Sequence, residues 1–285
     1  MSIGKVARKD FQDAVQSRAL WALVGVFVVL SLASSYAYVQ VPEMFGEPTG
    51  ATFDGLLFFT VGLLGLFIPL AAIVVCYKSV AGERESGSIK LLLSLPTSRG
   101  SIFFGKVIGR FAVLAVGLGS GALVGITFGA ILIGDIDVIA IGILLILTLL
   151  FLAVYASIIV GISAITGSTS KATTFSIGFF VVAELLWDVV PLGVLYVVEG
   201  FSIPTETPDW IFTLMQLSPS TAYFSTVLAS LPDTADAAGE SPEAGSMVSE
   251  GSSLFLSPEI GFVALTFWIV LSLLVGYRRF TSTDI

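Results

Sequence analysis

Residues Val138–Ile165 read VIAIGILLILTLLFLAVYASIIVGISAI, a run with no charged side chain in it. At about 1.5 Å per residue a helix of this length exceeds the roughly 30 Å hydrocarbon core of a bilayer. Lipid offers the backbone no hydrogen-bond partner, so such a run satisfies its peptide groups internally, as a helix. Strands of a membrane barrel would be about half as long and would alternate polar with apolar residues, which this run does not.

Five more runs of similar character flank it. The expected spans are 20–38, 56–77, 107–133, 138–165, 173–198 and 260–277. The whole chain agrees with them: 55% of its 285 residues are hydrophobic and 12% are charged. A soluble domain carries about 25% charged residues. The fold class expected is therefore an all-α membrane protein with six transmembrane helices.

Charge fixes the expected orientation. Of the thirteen Lys and Arg residues, twelve precede the first span, lie between the second and third or the fourth and fifth, or follow the sixth, and Arg110 sits just inside the third. The loops 39–55, 134–137 and 199–259 hold none. The positive-inside rule places both termini and the basic loop in the cytoplasm of a multi-pass cell-membrane protein. Most of the 21 Asp and Glu residues fall in the opposite loops. An acidic, lysine-free exterior suits a very salty medium and suggests a halophilic source, although outer loops are often acidic in any case.

Residues 1–19 carry Ile3, Val6, Ala7, Phe11, Ala14 and Val15 on one helical face and Arg8, Lys9, Gln12, Asp13 and Gln16 on the other. This pattern predicts an amphipathic helix lying in the membrane interface rather than a cleavable signal. Cys76 is the single cysteine and there is no histidine, so neither an internal disulfide nor a dedicated metal site is expected. The stretch Gly100–Lys106 has the spacing of a phosphate-binding loop, but Val107 stands where Ser or Thr must reach magnesium.

The loop 78–106 holds the most specific pattern. A charged, small-residue head, Gly82-Glu83-Arg84-Glu85-Ser86-Gly87-Ser88, is followed by Leu91, Leu92, Leu93 and Leu95 and then Pro96-Thr97-Ser98-Arg99. Pro96 stops one element, and Thr97 or Ser98 can cap the helix that continues through Lys106. Taken with the amphipathic first helix and six spans, these residues resemble permease subunits of ABC-2 type transporters over essentially the whole chain. The branch associated with copper-enzyme maturation looks somewhat similar.

That resemblance implies a separate ABC ATPase subunit as partner, with Glu83, Arg84, Glu85, Ser86, Gly87 and Ser88 at the ATPase contact. Leu91, Leu92, Leu93 and Leu95 would anchor a coupling helix. It also implies a second permease copy or a paralogue, short re-entrant helices within the outer loop 199–259, and export as the direction of transport. ATP and magnesium would sit on the ATPase and no cofactor on this chain; membrane lipid is the other partner, and nucleic acid is not expected.

Two further features stand out. Gly117, Gly121, Gly125 and Gly129 form a small-residue stripe for close helix packing, within the bundle or across a dimer. Glu184 and Asp188, the acidic residues inside a span, share a helix face. They line either a substrate path near mid-membrane, or an outer vestibule if Pro191 and Gly193 end the helix early. They are also the acid and base that a membrane-embedded enzyme would need, the alternative function. Residues 232–253, rich in Ser, Gly, Ala and acid, are expected to be disordered.

Overall fold

The computed structural model describes residues 2–44, 50–89, 98–187, 189–202, 208–239 and 258–282. Among them the secondary structure is helical, without strands. In chain order the helices are α1 (Ile3–Val15), α2 (Arg18–Met44), α3 (Phe53–Cys76), α4 (Ala81–Glu85), α5 (Arg99–Ile133) and α6 (Val138–Ile165). After these come α7 (Thr169–Phe180), a π-helical turn Val181–Leu185, α8 (Val189–Val198), α9 (Asp209–Met215), α10 (Pro219–Ser230), α11 (Pro232–Gly239) and α12 (Pro258–Ser282).

Five helices are long and apolar enough to cross a membrane, and the pair Thr169–Leu185 and Val189–Val198, bent by 59°, makes a sixth when taken as one broken span. The bend corrects the expectation of one helix over 173–198. Pro191 has no N–H and its ring would collide with the carbonyl of Trp187, so a straight helix cannot pass through it. The helix restarts at Val189 instead, leaving Pro191 in the first turn, where proline is tolerated. Pro191 and Gly193 therefore lie inside α8 rather than ending the helix.

The longest element, α5, is the spine of the bundle. Ser98 opens it by accepting a hydrogen bond from the Ser101 N–H at 3.1 Å, and Gly134, at φ 82°, closes it in the left-handed conformation. Along one face its glycines admit other helices to backbone contact. A Cβ on Gly105 would stand 2.6 Å from Val6 of α1, and one on Gly117 would stand 2.9 Å from Val24 of α2. Gly121 and Gly125 would collide with Phe27 and Ser31 of α2, and Gly129 with Leu56 of α3. The Ser35 hydroxyl seals the crossing by donating to the Gly125 carbonyl at 2.9 Å. The four-glycine stripe thus serves packing within one chain.

The short helices α9 and α10 form a hairpin whose turn reaches mid-depth. The Leu217 carbonyl accepts from the Trp268 indole at 2.7 Å, and Tyr223 meets Thr148 at 2.9 Å. Both partners lie ten residues, about 15 Å, into their long helices. Pro69 removes the N–H that would bond to Gly65 O within α3, and the Ser220 hydroxyl donates to that carbonyl at 3.2 Å. The carbonyl that Pro69 leaves open in one helix is in this way satisfied by the hairpin tip.

Residues 232–239 correct the expectation of disorder. They form α11, with Thr234 donating to Asp54 at the start of α3 at 3.2 Å; the remainder of 232–253 lies outside the described residues.

The stripe gives a direct test. Gly121→Val should lower thermal stability in detergent by about 1–3 kcal/mol through overpacking against Phe27. Gly119→Val, whose Cβ meets nothing within 4 Å, should leave it unchanged.

Candidate coupling and substrate sites

At the basic end of the bundle the chain leaves α3 and turns sharply. The Ser163 hydroxyl of α6 organises that turn: it donates to Tyr77 O at 2.7 Å and accepts from the Val80 and Ala81 N–H groups at 3.1 and 3.0 Å. These are the donors a helix start leaves open, so α4 begins on a side chain borrowed from another span. Gly87, at φ 73°, ends α4 by bonding its N–H to Arg84 O at 3.1 Å. A left-handed residue there needs glycine, since a Cβ would be strained.

Each charged residue of α4 reaches a different part of the bundle. Glu83 accepts from Lys106 of α5 at 2.7 Å. Arg84 donates to Thr166 O at 3.2 Å and lies over the Phe280 ring. Glu85 accepts from both the N–H and the hydroxyl of Thr169, at 2.9 and 2.6 Å, at the start of α7. Ser86 is exposed; its hydroxyl bonds Ser88 at 2.9 Å and donates to Glu83 O. The sequence-derived ATPase-contact residues therefore form one compact element held to α5, α6, α7 and α12, which leaves the Ser86 edge open to solvent.

Beneath α4 lies an ionic cluster. Lys106 is 3% exposed and sits 3.7 Å from Asp10, itself 8% exposed. Arg110 holds Asp10 at 2.9 Å and donates to Val75 O at 3.0 Å, in the last turn of α3. A buried amine is costly unless paired, and here it has carboxylates from two elements. The cluster joins α1, α3, α4 and α5. Asp10 was missed at the sequence level, yet its position carried a signal: it shares the apolar face of α1 with Val6, Ala7 and Ala14. A carboxylate on a buried face requires a cationic partner.

The second site is a cleft of about 290 Å³ near mid-depth, bounded by α3, the π-turn and the hairpin. Glu184 lines it together with Met215, Ser220, Thr221 and Tyr223. The buried Tyr155 hydroxyl donates to Glu184 Oε1. Tyr155 packs edge-on against Phe151, which stacks on Tyr223 with ring centroids 4.4 Å apart. The π-turn that carries Glu184 is closed by Leu186 N–H on Val181 O at 2.9 Å; such turns are frequent at functional sites. Tyr155, Tyr223, Thr148 and Ser220 were not legible as site residues, because apolar runs conceal which polar side chains converge. Asp188 and the leucines Leu91, Leu92, Leu93 and Leu95 lie outside the described residues. Among the described residues no three His, Cys, Asp or Glu side chains cluster as metal ligands would.

The family model for ABC-2 family transporter proteins matches residues 5–285. The chain belongs to the ABC-2 transporter family. It is 27% identical to the probable ABC transporter permease protein NosY of Stutzerimonas stutzeri, over 98% of this chain and 97% of that protein. It is 28% identical to the protein of the same name from Pseudomonas aeruginosa, over 98% of each. An ABC-2 permease is a transport subunit rather than an enzyme. The loop bearing α4 and the Glu184 cleft are then two regions of one permease, joined by α3, α6 and the helix that runs from α7 into the π-turn.

The ionic cluster yields a prediction. Lys106→Met strands Glu83 and leaves Asp10 to Arg110 alone, and should cost about 3 kcal/mol in thermal unfolding, with faster proteolysis within α1. Adding Glu83→Leu should recover part of the loss, since one stranded charge is removed with its partner.

Proposed function

We propose that the chain is the membrane-spanning subunit of an ATP-driven exporter in the cell membrane, with both termini in the cytoplasm. A separate ATPase engages the surface formed by Glu83–Ser88, and two permeases, identical or paralogous, pair around a shared path. The observation that carries this reading is the attachment of α4. Its residues bond to Lys106, Ser163, Thr166 and Thr169, so a push on the exposed edge is delivered to α5, α6 and α7 together.

From α7 the displacement reaches the π-turn and Glu184 along one continuous helix. A π-turn carries one residue more than its α-helical equivalent and shifts register at low cost, which suits a gate. Glu184 and its Tyr155 partner stand on the proposed substrate path, beside a hairpin that enters from the outer side. The acidic loops suit a halophilic source. Likeness to the NosY permeases supports a place in the branch serving copper-enzyme maturation. The chain has no histidine and its one cysteine, Cys76, is buried, so it supplies few ligands for copper to travel through it.

Co-purification of the tagged full chain from native membranes tests the assignment. Wild type should bring down a nucleotide-binding ATPase; Ser86→Arg, on the open edge of α4, should lose at least nine-tenths of it. Glu184→Gln should retain the ATPase in full. An ATPase retained by Ser86→Arg moves the contact elsewhere, and its absence from wild type under mild extraction sinks the ATP-driven reading.

A further inference from the structure

Between α2 and α3 the bundle is open to lipid, with α5 as the floor of the gap. Three cavities lie along this seam and share lining residues. The one at the basic end measures about 420 Å³ and is bounded by Asp13, Ser17, Leu23, Val74, Lys78 and Arg110, among others. The next, about 150 Å³, shares Leu23 and Val74 with it and adds Phe27, Leu30 and Phe67. The third, about 160 Å³, shares those last three and ends at Ser31, Ser34 and Thr60. They form one groove with a charged mouth and an apolar body.

We propose that this groove is a binding site for one phospholipid of the leaflet on the basic side, with its phosphate at Lys78 and Arg110 and an acyl chain along the seam. The charges fit. Lys78 is exposed at the mouth, and its ammonium lies 5.2 Å from the centroid of the Tyr77 ring, at the level where headgroups sit. Arg110 is held in place by Asp10 and by Val75 O, so its guanidinium is oriented before any ligand arrives. Asp13, on the same rim, is placed to accept a headgroup ammonium. A zwitterionic headgroup thus meets the Lys78 ammonium and the Asp13 carboxylate on one rim, with Arg110 shared between Asp10 and the phosphate.

The dimensions fit as well. From Ser17 to Leu30 along α2 is about 20 Å, more than the depth of one leaflet in a roughly 30 Å core. The first two cavities therefore take a chain from interface to midplane. Val26 and Val74 remain 57% and 55% exposed beside the groove, which leaves a lateral entrance from the bilayer. The middle of the groove, lined by Leu23, Val26, Phe27, Leu30, Phe67 and Val74, is apolar and suits an acyl chain better than water. The site lies apart from the Glu184 cleft and does not depend on the transport assignment.

Native mass spectrometry of the purified full chain tests this, with dioleoyl phosphatidylethanolamine and dioleoylglycerol as matched probes. Wild type should retain one phospholipid per chain through detergent exchange and at least tenfold less diacylglycerol. Lys78→Gln should cut phospholipid retention severalfold. Val74→Trp, a substitution at an exposed position, should fill the groove and abolish retention without changing the unfolding temperature. Equal retention of both probes, or wild-type retention by both variants, would reduce the site to ordinary annular lipid. Efficient disulfide dimerisation of Val26→Cys in native membranes would overturn it too, by showing a second copy on this face.

Discussion

Lys106 ties the first helix and the loop after the second span to the spine helix at one point. Its amine is almost fully removed from solvent, and the desolvation cost of that burial is offset only while Asp10 and Glu83 stay close. Asp10 in turn fixes Arg110, which caps the end of α3. The first helix, the loop after the second span and the start of the third span are therefore bound to one small set of charges. None of these elements can shift far without breaking an ion pair in a poorly solvated place. This makes the basic end of the permease a stiff unit.

The spine helix makes this stiffness possible. Helices in lipid gain little from the hydrophobic effect and rely on close packing and interhelical hydrogen bonds. Glycines on α5 let α1 and α2 lie against its backbone, and Gly161 with Gly276 does the same where α6 crosses α12. The Ser35 bond to Gly125 O and the Ser163 bonds to the α3–α4 turn follow the same logic, with a small hydroxyl side chain reaching another helix's peptide groups. Large side chains on the opposite faces, such as Trp21, Ile131, Ile146 and Val263, point outward to lipid.

The middle of the bundle is built differently. There the chain bends between the π-turn and α8, the π-turn widens the helix, Pro69 opens a carbonyl, and a hairpin of short helices fills the space. Each defect is matched by a polar side chain from a neighbour: Tyr155 for Glu184, Ser220 for Gly65, Thr148 for Tyr223. Irregular backbone at membrane depth is tolerated where it is buried in protein or lines a cavity, and here it does both. A rigid basic end and an irregular centre are what a transport subunit needs if force applied at one is to move the other.

The sequence by itself determined the solvent and the long helices. Those properties are local: uninterrupted apolar length sets a span, and Ser98 or Gly134 sets a boundary within its own few residues. The direction of the glycine stripe followed from helical period alone, but its partner did not. Tertiary structure alone decided that the stripe receives α2, that Asp10 meets Lys106 almost a hundred positions away, and that Glu184 finds Tyr155. In a chain so rich in apolar residues, the few polar side chains are spaced too widely for local pattern to pair them. Their partners are set by which helices the small residues allow to approach.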